Sequence, residues 1–213
     1  MLMTENKRVE EFFTPHNQLL IQQKKEWTEI ITNFETRNKY QILSTGGAEL
    51  GFMAEQGSGF GAMLARWFLR THRPMKVMVW GKDREELMQL ERPFFWFFSD
   101  LTVKDSEGNI LGHVYRRFGI LHKKYDLASE TEKVFARVVS PIWRLWTFFI
   151  KDNTEREIGT ISKNWGGLLK EMFTDADRFQ VSFGNQSWKE KAVIFAAAIS
   201  IDMDFFDDNQ RNN

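Results

Sequence analysis

Two stretches of this chain collect cations with no acid between them, and both have the chemistry to hold an anion. One runs Arg66, Arg70, Arg73, Lys76 with His72 beside it, and the other runs Arg116, Arg117, Lys123, Lys124. Against a negatively charged lipid surface each such cation contributes about 1 kcal/mol. Trp67 and Phe68, with Leu64 and Leu69, sit inside the first stretch. Aromatic and basic residues together suit the headgroup boundary. The alternative is a solvated face balanced by neighbouring carboxylates. Nucleic acid is a remote partner for Arg116, Arg117, Lys123 and Lys124, because 29 basic and 29 acidic residues give a formal net charge of zero. Such binding would show a steep salt dependence.

Asp175 and Asp177 are two residues apart, a spacing at which two carboxylates can share Ca²⁺, an ion that takes six to eight oxygens. A coordinating loop of the EF-hand type counted from Asp175 needs glycine at its sixth position and glutamate at its twelfth. The chain has Gln180 and Gln186 there. Phe179, Val181 and Phe183 alternate with Gln180 and Ser182, which reads as a strand with an apolar face. On that reading Asp175 hydrogen-bonds backbone in the preceding turn. The segment Gly57-Ser58-Gly59-Phe60-Gly61 lacks the lysine ending of a phosphate loop and the spacing of a dinucleotide fold, so it reads as a flexible loop. His16, His72, His113 and His122 are scattered. His113 and His122 could face one another across strands flanking Arg116-Arg117-Phe118-Gly119, although ordinary strand-surface positions are favoured. Cysteine is absent, which removes disulfides, thiolate metal sites, a cysteine nucleophile and S-palmitoylation. No acid/base or nucleophile set emerges, so the chain reads as a binding or lipid-handling protein, not an enzyme.

The elements that must position these residues are mostly strands. With 213 residues and 42% hydrophobic composition the chain can bury a full core, and its 20 Phe and 8 Trp suit a wide interior. Alternating apolar residues predict strands at 17–21, 26–33, 39–43, 50–55, 75–80, 87–91, 100–104, 110–115, 120–126, 134–139, 146–150, 157–162 and 178–183. The clearest hairpin is Asp105 to Asn109, where Gly108 and Asn109 tolerate positive φ. About a dozen mostly antiparallel strands favour a closed barrel or a packed pair of sheets. Phe60 to Leu69 reads as a short helix or a surface loop.

The run Ala192 to Ile201 is uncharged, and a helix apolar all round must be surrounded by apolar atoms. A membrane span needs about 20 residues. Extending this run through Asp202 and Asp204 costs roughly 2.5–3.5 kcal/mol per carboxylate near a bilayer centre. A core helix is therefore favoured over an anchor, with Val193, Ile194, Phe195, Ile199 and Ile201 buried. Residues 1–16 are expected to be a flexible leading segment, 17–206 a single domain, and 207–213 a disordered polar tail. Met1 to Glu11 has no apolar h-region, which points to a cytoplasmic start.

Ordered matches then run along nearly the whole chain, from 17 to 206. They are Asn17-Gln18-Leu19-Leu20-Ile21, Phe34 to Tyr40, Leu90-Glu91-Arg92-Pro93, Gly108 to Gly112, Ser140-Pro141 and, most specifically, Gly159 to Gly167 through Lys170-Glu171 and Phe173 to Asp177. Lys191-Ala192-Val193 and Ile201-Asp202 continue them. In this the chain resembles the phospholipid scramblase family of the tubby-like, LURP-one-related superfamily. The resemblance implies a tubby-like fold, in which twelve antiparallel strands close around a hydrophobic C-terminal helix. It also implies association with phospholipid and, for some members, Ca²⁺-dependent, energy-independent movement of lipid between leaflets.

The family's Ca²⁺ segment maps onto Asp175 to Gln186. Asp175 and Asp177 match its first acids, and Gln186 replaces the closing one, so any Ca²⁺ affinity should be weak or absent. The lipidated cysteine cluster and Pro-rich extension of many members are missing, which favours peripheral attachment to an anionic phospholipid membrane. Two readings follow: a scramblase-like protein moving lipid along a groove or through an opened interior, or a lipid-binding or protein-interaction scaffold that moves none.

Overall fold

The computed structural model describes residues 6–23, 39–56, 74–118, 122–141, 146–163 and 178–205. Twelve strands form one closed antiparallel barrel. They are β1 (Gln18–Gln23), β2 (Lys39–Leu43), β3 (Glu49–Glu55), β4 (Met75–Gly81), β5 (Glu86–Arg92) and β6 (Asp100–Asp105), then β7 (Ile110–Arg117), β8 (His122–Ser129), β9 (Val134–Pro141), β10 (Thr147–Asp152), β11 (Glu157–Lys163) and β12 (Arg178–Ser182). Each strand pairs with its sequence neighbours, and β12 closes on β1 with Leu19 opposite Val181. Closure matters because an open sheet of this many strands would leave two long edges of unpaired backbone. All twelve overlap an alternating segment of the sequence. The strand expected at 26–33, the element at 60–69 and the glycine-rich loop at 57–61 lie outside the described residues.

The period-two pattern sorts the side chains. Ile42, Met53, Val77, Val79, Met88, Leu90, Leu101, Val103, Val114, Leu127, Val138, Phe148, Ile150, Ile161, Phe179 and Val181 are all buried in one continuous core. The centre of that core is helix α2 (Trp188–Phe205). Val193, Ile194, Phe195, Ile199 and Ile201 are buried as expected, and so are the alanines between them. The small residues have a geometric purpose, since a helix 10–12 Å across with its side chains must fit inside the cylinder. At Gly112 in β7 an added Cβ would lie 2.4 Å from the Ala128 carbonyl oxygen and 2.6 Å from Val193 Cγ2.

The two ends of the barrel differ. At the hairpin end, strands are joined by four or five residues. There Asp105 is buried and accepts from the backbone N–H of Glu107 and Asn109 and from Asn109 Nδ2, while Gly108 takes φ 91°. Helix α2 starts at this end with a capping box: Glu190 Oε2 accepts from Ser187 N and Oγ, and Ser187 Oγ faces Glu190 N. At the opposite end, called the loop end here, the joins run from four to nineteen residues, and α2 finishes.

No element is expected before Asn17, yet residues in that leading segment form helix α1 (Lys7–Phe13), with Val9 and Phe13 buried. The Phe13 ring meets Phe183 and Phe195 edge to face, at 6.0 and 5.7 Å between centroids. Seven residues do not hold a helix by themselves, so α1 exists through this contact.

Two outcomes follow. Phe195→Ala should lower unfolding stability in urea by about 3–5 kcal/mol. Gly112→Ala should also destabilise, because the nearest obstacle is the Ala128 carbonyl of β8, which cannot swing aside, with Val193 of α2 beside it; an unchanged urea midpoint would show that β7 does not approach β8 and α2 this closely.

Candidate functional site

A helix that is buried along its length must bring its charged residues into the core or end before them. Here Lys191, Asp202 and Asp204 are brought in and each is met by partners, while Lys189 and Glu190 stay at the surface. Near the hairpin end Lys191 is buried, and its Nζ donates to the carbonyl oxygens of Phe13, Thr14 and His16, at 3.2, 3.3 and 2.8 Å, with Asn17 Oδ1 at 3.4 Å. These carbonyls end α1, where a cation is stabilised by the helix dipole. Burial lowers the Lys191 pKa. Burial and then the Lys191 charge lower that of His16.

At the loop end the last turn of α2 carries Asp202 and Asp204, which oppose the helix dipole and so need outside compensation. Tyr40 of β2 donates to Asp202 Oδ2 at 2.5 Å. Asp204, fully buried, receives Arg92 Nη1 at 3.1 Å and Arg116 Nη1 at 3.6 Å. Tyr125 Oη donates to it at 3.0 Å, with Ser99 Oγ at 3.4 Å. Burial and then the Asp204 charge push the Tyr125 phenol well above its ordinary pKa, so it stays a donor. β2, β5, β7 and β8 thus each send one polar side chain inward at the same level, and together with α2 they close the barrel with an ionic plug.

Above the plug stands a rim of exposed rings. Trp96, Phe97 and Phe98 in the β5–β6 join, Phe118 after β7 and Trp146 before β10 are all exposed. Phe95 alone of the run Phe95–Phe98 turns in, buried beneath the Arg92 guanidinium at 5.1 Å from its ring centre. The rim is therefore fastened to the plug.

The cations singled out in the sequence have different surroundings. Lys76 lies 3.3 Å from Glu91, a carboxylate that also meets Lys104 at 2.5 Å; the Lys104 hydrogen bond is the largest cause of the lowered Glu91 pKa. Arg116 turns inward to Asp204, while Arg117 is half exposed and 2.8 Å from Asp126. Arg66, Arg70, Arg73, Asp175 and Asp177 lie outside the described residues. Of the segment Asp175 to Gln186, residues 178–182 are strand β12, with Phe179 and Val181 in the core and Gln180 Nε2 donating to Gln18. His113 is opposite Ala128 and His122 opposite Pro141, so the two histidines do not face each other. Among the described residues no helix is long and apolar enough to cross a membrane, and no group of three His, Asp or Glu is gathered for a metal. Arg92 and Tyr40 stand out in the sequence only as family matches, and Tyr125 and Ser99 not at all. The one signal for their role was the wrong-signed charge at the end of α2.

Asp204→Ala should cost about 3–5 kcal/mol in urea unfolding, because Arg92 is left buried without its carboxylate; a loss below 1 kcal/mol would show the plug to be solvated. The lowered His16 pKa makes the unfolded chain bind the proton more tightly. Stability should therefore fall as pH drops below 6.5 towards the folded-state value, and His16→Gln should flatten that part of the stability–pH curve.

A family model described as Scramblase matches residues 1–208. A phospholipid scramblase family protein of Schizosaccharomyces pombe is 26% identical over 88% of this chain and 59% of its own length. Phospholipid scramblase 1 of Rattus norvegicus is 30% identical over 92% of this chain and 62% of its own. Altered inheritance rate of mitochondria protein 25 of Saccharomyces cerevisiae is 26% identical over 91% of this chain and 71% of its own. The chain thus spans about three fifths of the length of the first two. Since the family match runs through all twelve strands and the enclosed helix, the chain belongs to the Scramblase family.

Proposed function

We propose that the chain is a scramblase-like protein that associates with phospholipid membranes and handles lipid on the outside of its barrel. The supporting observation is the state of α2. Its apolar run is buried throughout, Lys191 ties its first turn to α1, and Asp202 and Asp204 tie its last turn to four strands. Moving this helix out to open an interior path would take Asp204 away from Arg92, Arg116 and Tyr125 and leave the buried Arg92 without that carboxylate, at several kcal/mol. It would also expose side chains stabilised by roughly 1.5–3 kcal/mol apiece. Lipid that changes leaflet with this protein present therefore passes along its surface or through bilayer it has disturbed. Ca²⁺ has no essential part in this reading, since β12 takes up the middle of the segment that would bind it.

The same pinned helix favours a second reading, a membrane-bound scaffold without translocation. Leaflet exchange of a labelled phospholipid, measured in defined vesicles with and without the chain and with and without Ca²⁺, separates the two. The scramblase-like reading expects faster exchange with protein and no change on chelation. Equal rates with and without protein would leave the scaffold. Hydrogen exchange on the same vesicles should show α2 amides as protected as in solution; rapid exchange across residues 192–201 would mean that the interior opens.

A further inference from the structure

Large apolar side chains are scattered singly over most protein surfaces, and gathering them is what signals a partner. Among the described residues six are exposed: Phe97 at 83%, Trp96 at 74%, Phe118 at 73%, Phe98 at 44%, Ile110 at 43% and Trp146 at 41%. All but Ile110 lie at the loop end, on three successive joins of the barrel wall. Phe95 beneath Arg92 and Ser99 against Asp204 hold the β5–β6 join to the plug.

The charges beside the rings lead in the same direction. Arg117, next to Phe118, is directly opposite Lys124 across the β7–β8 ladder, an arrangement of like charges that weakens a sheet. Lys124 is exposed. Asp126, the carboxylate that reaches Arg117, is shared with Arg137 at 3.5 Å. Asp100, exposed opposite Tyr115, is a further carboxylate on this outer face. Glu155 also reaches Arg137, at 3.8 Å, while among the described residues no carboxylate lies within ion-pair distance of Lys124, which leaves its charge beside the ring cluster.

We propose that this end of the barrel docks on a bilayer surface carrying anionic phospholipid, with Trp96, Phe97, Phe98 and Phe118 entering the headgroup boundary and Arg117 and Lys124 meeting phosphate. The inference rests on the phospholipid reading above and assigns it a surface. Trp and Phe with basic neighbours suit that boundary, where ring bodies find acyl carbon and cations find phosphate. A second copy of the chain is a poorer occupant, since a two-fold contact through this end would set Arg117 and Lys124 against their own equivalents.

The test is flotation of the full chain with phosphatidylcholine vesicles with and without phosphatidylserine. The variants are Trp96→Ala/Phe97→Ala/Phe118→Ala, Arg117→Glu/Lys124→Glu, and Ile110→Ala at the far end. Removing each ring should weaken binding about tenfold, the charge reversal should remove the preference for phosphatidylserine, and Ile110→Ala should bind as wild type. Unfolding midpoints check that the variants are folded. Trp96→Phe should retain binding yet lose part of the fluorescence quenching by brominated acyl chains.

If wild type floats and the folded ring variant floats equally well, this surface is not the docking site, though the phospholipid reading stands. If wild type binds neither vesicle, both fail. A ring variant that loses only concentration-dependent self-association, with vesicle binding intact, would assign the rim to a second copy and overturn the proposal.

Discussion

An apolar helix enclosed by a barrel can be extended into charged sequence only where the wall supplies countercharge, and the rest of this structure depends on how that is met. Ala192 to Ile201 asks nothing of its surroundings but apolar contact. Lys191 on one side and Asp202 and Asp204 on the other ask for specific partners, and each has the wrong sign for the dipole of its own helix end. The hairpin end answers with the last carbonyls of α1, and the loop end with Arg92, Arg116, Tyr40 and Tyr125.

These contacts fix more than the helix. Lys191 gives α1, too short to persist unaided, a reason to sit against Phe183 and Phe195. Asp204 draws Arg92 and Arg116 into the barrel, which takes Arg116 away from the surface and sets Arg92 over Phe95. With Phe95 held, the neighbouring rings of the β5–β6 join are exposed. One buried carboxylate thereby links the core to the rim.

Much of the fold was legible because burial on one face of a strand imposes a period of two. Phe179 and Val181 announced β12 although the same segment offered two acids to a metal, and Asp105, Gly108 and Asn109 announced their hairpin by turn chemistry local to five residues. Helix α1 was not legible: Lys7 to Phe13 has no long periodic face, and the rings that hold it lie at Phe183 and Phe195. The pairing of His113 with His122 failed for a related reason, since register is decided by the whole ladder and it places Ala128 and Pro141 opposite them. Arg116 and Arg117 looked alike in sequence, yet adjacent strand residues point to opposite faces, and one entered the plug while the other stayed outside.

The amino-acid sequence by itself determined the strands, the family resemblance, and the burial of an apolar run too short and too closely followed by carboxylates to span a membrane, while it left a closed barrel and a packed pair of sheets as alternatives that strand order then decided. The strands and the buried run follow from periodicity and composition, which act over neighbouring residues, and the family from ordered matches along the chain. Only the tertiary structure decided which cations serve the core, which rings stand exposed and at which end they meet. Those outcomes depend on side chains more than 100 residues apart, such as Arg92 and Asp204, being carried to one level of the barrel by strand order and register.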